Sequence, residues 1–201
     1  MTLHTFGDSH SSDKISGWKI CKNLNAHHLN GVLCYSFGRE KLNRCNIRDF
    51  GVVENDSVVF CFGEIDCRCH VHKHINSKMT YQKVIDDIVD NYEEAIMINV
   101  KKCGVNLKYV CIYNVVPPVQ KHNTRENPQY PYLGSDDERK SYVLYFNEQL
   151  KKKCEQNSWV FFDVYDKYCD ANGFLSKKYS DGNVHIRNGI YLQEFIDINL
   201  K

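Results

Sequence analysis

Short apolar runs rich in β-branched and aromatic residues recur along the chain, most of them stopping at glycine or proline. Leu3 to Phe6 stops at Gly7-Asp8, Gly31 to Phe37 at Gly38, Asp56 to Phe62 at Gly63, and Leu107 to Val116 at Pro117-Pro118; Trp159 to Val164 forms a fifth run. Runs that are apolar at successive positions predict strands covered on both faces, as in a parallel sheet. Between them the period changes. After Thr80, a good N-cap, Tyr81, Val84, Ile85, Ile88, Val89, Tyr92 and Ile96 form one stripe of a 3.6-residue helix. Ser135 to Glu138 reads as a capping box ahead of Val143, Phe146, Leu150 and Cys154. A last helix is predicted from about Asn188, with Ile190, Leu192, Phe195 and Ile196 on its buried side. Strands alternating with helices predict an α/β fold: a doubly wound, flavodoxin-like parallel sheet of about five strands flanked by helices. The length, 201 residues, suits a single domain over 1–201.

Composition narrows the function classes. With 26 basic and 25 acidic residues the net charge is +1, without the basic footprint of a nucleic-acid binder. The longest apolar run, Val58 to Phe62, is far too short to span a bilayer, so no membrane partner is expected. The N-terminus shows no basic stretch followed by an apolar segment, and several of the ten cysteines sit inside apolar runs (Cys34, Cys61, Cys111). Both features predict reduced thiols and a cytoplasmic setting.

Doubly wound sheets bind ligands at the carboxyl ends of their strands. The residues following the runs are Gly7-Asp8-Ser9-His10, Gly38-Arg39 and Gly63-Glu64-Ile65-Asp66-Cys67-Arg68, with Asp181-Gly182-Asn183-Val184-His185 near the C-terminus. A serine hydroxyl becomes nucleophilic when a base takes its proton, histidine titrates in the right range, and a carboxylate can fix its tautomer. Ser9, His185 and Asp181 supply these three parts.

Together these blocks resemble the SGNH (GDSL-type) hydrolases, in order and spacing from residue 3 to about 196. The resemblance implies Ser9 as nucleophile, Asp181 and His185 as acid and base, and backbone N–H groups of Ser9 and Gly38 in an oxyanion hole. It implies a serine-dependent ester hydrolase or O-acyltransferase without a cofactor or metal, acting on a small, acetyl-type ester of a carbohydrate. Two features depart from the family. Its third block is usually Gly-x-Asn-Asp, whereas this chain has Ile65 where the oxyanion-donating Asn belongs. Arg68 is the expected substitute, since a guanidinium can stabilise an oxyanion; Asp8, Glu64 and Asp66 are read as carboxylates supporting the site. The last block is usually Asp-x-x-His, so the longer spacing of Asp181 and His185 implies a bulged loop.

Other readings exist for the same residues. Ser9 could serve only as a helix N-cap, His185 as a surface-loop histidine, His10 as a polar neighbour of Ser9, and Asp66 with Arg68 as a structural ion pair. The fold could also serve a non-catalytic binding protein. Asp8-x-His10 with later acidic and histidine motifs resembles a metallophosphoesterase, and Cys67 to His74 concentrates soft-metal ligands, though without the CxxC pair that structural zinc sites use. All four prolines lie between Pro117 and Pro131, in a long segment ending at Gly134. Arg125, Tyr130 and Tyr132 make this 117–134 stretch the expected substrate loop, suited to a sugar.

Overall fold

The computed structural model describes residues 1–201. Five parallel strands, β1 (Leu3–Gly7), β2 (Leu24–His28), β3 (Ser57–Cys61), β4 (Tyr109–Tyr113) and β5 (Val160–Phe162), lie in the order β2-β1-β3-β4-β5. This is the doubly wound, flavodoxin-like order, with its switch of winding direction between β1 and β3. Gly7 pairs with Cys61 in the register of these two strands. The segments beginning at Asp8 and Phe62 therefore leave the sheet side by side at one crevice.

Alternation along each strand divides the core. Phe6, Val58, Phe60 and Ile112 face a cluster shared with α1 (Cys34–Glu40), α3 (Tyr81–Lys102) and α4 (Asp136–Asn157). Leu3, Val59, Cys61, Cys111, Tyr113 and Phe162 face the other side, where Trp18 and α6 (Ile190–Asn199) pack. Two short helices complete the set, α2 (Val71–His74) and α5 (Tyr165–Tyr168). Thr80 caps α3 through the Lys83 N–H, and Ser135 with Glu138 closes the capping box of α4. No helix is long and apolar enough to cross a membrane. All ten cysteines are free thiols.

The second expected strand is absent. Gly31 to Phe37 instead gives a loop and the first half of α1, while β2 is formed upstream by Leu24–His28. The apolar residues of this stretch serve a helix face: Cys34, Phe37 and Gly38 are buried. Phe37 stacks on Phe62 with centroids 5.0 Å apart. What makes it helical comes from elsewhere in the chain. The Asp66 carboxylate accepts the N–H groups of Cys34 and Tyr35 at 2.7 and 3.0 Å, satisfying two donors that the helix itself leaves free. A Cβ on Gly38 would stand 3.0 Å from the Asn91 backbone, so glycine lets α1 lie directly on α3. β2 lacks an apolar signature because it is an edge strand with half-exposed side chains.

Candidate active site

Ser9 follows β1 at the switch point and opens a 3-10 turn, Ser9–Ser11. Asp8 caps this turn by accepting the His10 N–H at 2.9 Å, and Thr5 Oγ1 donates to the Ser11 carbonyl at 2.8 Å. As the first N–H of the turn, that of Ser9 has no partner within it.

His185 arrives from the far end of the chain, 176 residues away, and its Nε2 lies 2.8 Å from Ser9 Oγ. Its Nδ1 lies 2.8 Å from Asp181 Oδ2. The extra residue between Asp181 and His185 is absorbed by a tight hairpin closed by a bridge between Ser180 and Ile186. Asp181 Oδ1 accepts the N–H groups of Asn183 at 2.8 Å and His185 at 3.2 Å, while the Asp181 N–H donates to the His185 carbonyl at 3.0 Å. Gly182 takes a φ of +87°, the left-handed conformation that lets the chain turn there.

Beside this array lies a buried charged cluster. Glu64 Oε2, just beyond β3, is 3.2 Å from Arg68 and 3.7 Å from His10 Nε2. Arg68 belongs to a π-helical turn, Asp66–His70, a geometry frequent at functional sites. Its guanidinium faces the rings of Tyr132 and Tyr130, 5.4 and 5.9 Å from their centroids. The Leu133 N–H donates to the Arg68 carbonyl at 3.1 Å, so the 117–134 segment folds across this side of the crevice. Tyr130 reaches Gly31 beyond β2, where its hydroxyl donates to the carbonyl at 3.4 Å.

Burial and neighbouring charge set the protonation of these groups. Burial, then the charge of His10, hold His185 below its ordinary pKa against the opposing bond to Asp181. His185 is thus a neutral imidazole at neutral pH, with Nε2 free to take a proton when Nδ1 carries the hydrogen toward Asp181. Burial alone would raise Glu64, but Arg68 and His10 outweigh it and bring the carboxyl down to about 2. Burial pushes Asp8 up to about 6, although His10 opposes the rise.

The structure therefore brings Ser9, His185, Asp181, Asp8, Glu64 and Arg68 to one end of the sheet. It does not bring Gly38 there, because that residue sits in the middle of α1 where its N–H belongs to the helix. The glycine that follows β2 is Gly31, with its φ at +67°. Asp66 turns away to cap α1, and the partner of Arg68 is Glu64 instead. Arg125 is exposed, whereas Tyr132 is buried between Arg68 and Arg139 and so orients cations more than it meets solvent. Ile65 is buried and offers no donor. His10, expected only as a polar neighbour of Ser9, instead faces Glu64 and His185, and its place next to Ser9 is the only signal of this in the sequence. Cys67 to His74 does not converge, and no group of three or more His, Cys, Asp or Glu side chains is arranged to hold a metal ion.

Neither a family model nor a curated protein matches the sequence. Solved structures do match the fold. A GDSL-like lipase from Bacteroides thetaiotaomicron aligns with a TM-score of 0.66 at 15% identity, covering 98% of this chain and 85% of that one. An aryl esterase from M. smegmatis aligns at 0.61 and 13% identity over 98% of both chains. An acetylxylan esterase from Geobacillus stearothermophilus aligns at 0.57 and 11% identity, covering 97% of this chain and 91% of that one. The fold is that of the SGNH (GDSL-type) hydrolases.

Proposed function

We propose that this chain is a serine-dependent esterase whose nucleophile is Ser9. The observation that carries this reading is the continuous chain Ser9 Oγ–His185 Nε2 and His185 Nδ1–Asp181 Oδ2, each contact 2.8 Å, at the switch point of the sheet. In this mechanism His185 takes the Ser9 proton as Ser9 Oγ attacks the ester carbonyl. Asp181 holds the imidazole in the required tautomer and stabilises the imidazolium. His185 then returns the proton to the leaving alcohol. A water, or another hydroxyl in an acyl transfer, releases the acyl group through the same base.

The oxyanion hole is rebuilt in this reading. Ile65 cannot donate, and one donor typically contributes about 10²–10³ in rate. The candidate donors in this reading are the Ser9 N–H, the Gly31 N–H in the loop after β2, and the Arg68 guanidinium held by Glu64.

The substrate we infer is a small acyl ester of a carbohydrate. A cleft of about 330 Å³ opens beside the Asp181 hairpin, where the apolar Val119, Phe174 and Leu175 alternate with the polar Gln120, Asn123 and Lys177. A mixed lining of this kind can meet both the hydroxyls and the apolar face of a sugar ring. The structural likeness to an acetylxylan esterase supports the same class. Screening acetylated oligosaccharides for acetate release tests this reading. Release with saturation is expected, and turnover confined to long-chain acyl esters would refute the carbohydrate assignment.

A further inference from the structure

His10 is held as firmly as any residue near Ser9, yet its ring is used by nothing in the mechanism above. Its N–H donates to Asp8 Oδ1 at 2.9 Å. Its carbonyl accepts from Trp18 Nε1 at 2.7 Å and Ser16 Oγ at 3.2 Å. These backbone bonds fix the ring between two groups. On one side is the Glu64 carboxylate, 3.7 Å from Nε2. On the other is the ring of His185, with centroids 5.0 Å apart.

We propose that His10 is a positioning residue of the esterase centre: an imidazolium, paired with Glu64, that holds His185 in its neutral, proton-accepting form. The proposal rests on the esterase reading for its consequence, but the contact between the two histidines can be measured without turnover. The charges around each ring agree with it. His10 faces Asp8 of its own turn, Glu64 and Arg68 beyond β3, His28 at the end of β2, and His185. Burial disfavours its charged form, but Glu64 and then Asp8 outweigh burial, and its pKa stands above the ordinary histidine value. His185 faces Asp181 of its own hairpin, Ser9 and His10 beyond β1, and Glu64 beyond β3. Asp181 and Glu64 favour protonation of His185, so without His10 their charges would go unopposed by any nearby cation on the β1 side. Two cations this close disfavour each other; although Asp181 lies nearer to His185 than Glu64 does to His10, Glu64 and Asp8 together outweigh burial at His10, whereas at His185 burial and the His10 charge outweigh Asp181.

The sign follows directly. Removing the His10 charge raises the pKa of His185, so His185 becomes protonated at higher pH and the acid limb of kcat/KM moves upward. A unit charge at roughly this separation corresponds to a shift of about one pH unit. His10→Gln preserves the backbone bonds to Asp8, Trp18 and Ser16 while deleting the charge.

The test is a ¹H–¹⁵N titration of histidine ring signals in the full-length protein, its His10→Gln variant and its His10→Asn variant, alongside pH profiles of ester hydrolysis. In the parent protein at pH 7, His10 is expected as imidazolium and His185 as neutral. In either variant that folds, the His185 midpoint is expected to rise by about one unit, with the acid limb following. A neutral His10 at pH 7 in the parent would overturn the proposal, with no variant needed. So would an unmoved His185 midpoint in a variant whose only change is a lower melting temperature. A protein that hydrolyses no ester but shows the shifted midpoint would refute the esterase reading and leave this coupling standing.

Discussion

The Asp66 carboxylate accepts the backbone N–H of Cys34 at 2.7 Å across 32 residues of sequence, and its second oxygen accepts that of Tyr35. This contact ties the π-helical turn beyond β3 to the start of α1. Asp66→Ala removes both bonds from a buried helix end. It is expected to cost about 2–3 kcal/mol in urea unfolding, the sum of a lost cap and an orphaned donor. A loss of activity without a loss of stability would show that Asp66 acts in the chemistry.

Asp8 gives a stability effect that depends on pH. Its pKa is raised from an ordinary 3.8 to about 6, so the native state favours the protonated form. That contribution is fully present below the unfolded pKa and is lost as pH rises through about 6. Asp8→Asn keeps an acceptor for the His10 N–H and removes the buried charge. The variant is expected to be more stable than the parent at pH 8, by up to about 3 kcal/mol, and equal to it near pH 3. Unfolding at the two pH values checks this, and greater stability of the parent at pH 8 contradicts it.

β1 and β3, buried along their length, and β4, buried at its carboxyl end, were legible because burial demands continuous apolar runs, and β5 was legible because its residues are apolar although it is also an edge strand. β2 was hidden because an edge strand with half-exposed side chains, Leu24–His28, carries no such run. Gly31 to Phe37 misled because its apolar residues serve a helix face whose cap, Asp66, lies far along the chain. That misplacement carried Gly38 into the expected oxyanion hole, whereas the glycine following β2 is Gly31. The meeting of Ser9, Asp181 and His185 at one end of the sheet was legible by residue type and order. The hairpin that absorbs their unusual spacing depends on backbone bonds no motif displays. The partner of Arg68 was ambiguous between Glu64 and Asp66, since both lie within reach in sequence and only the π-turn decides.

Arg68 and Glu64 form a buried ion pair, so deleting one partner strands the other. Arg68→Ala is expected to slow ester turnover by roughly 10²-fold and also to destabilise the fold by about 3 kcal/mol. Arg68→Lys keeps a cation facing Glu64 but loses the planar fork. It is expected to retain most of the stability and still lose at least about tenfold in kcat. Full activity per folded molecule in both variants would mark Arg68 as purely structural.

His185 lies below the ordinary histidine pKa, chiefly through burial and then through His10. In the proposed mechanism its neutral form is the base, so kcat/KM is expected to stay on its plateau as pH falls to about 6.5, the ordinary histidine value, and to decline only below it. A decline that begins above pH 7 would place a different group in control.

Hydrolysis of a short-chain nitrophenyl ester by the protein and by Ser9→Ala tests the proposed nucleophile most directly. If Ser9 is the nucleophile, the parent turns over with saturation and the variant falls at least about 10³-fold, with far-UV circular dichroism and melting temperature unchanged. Equal rates in the two proteins would contradict it.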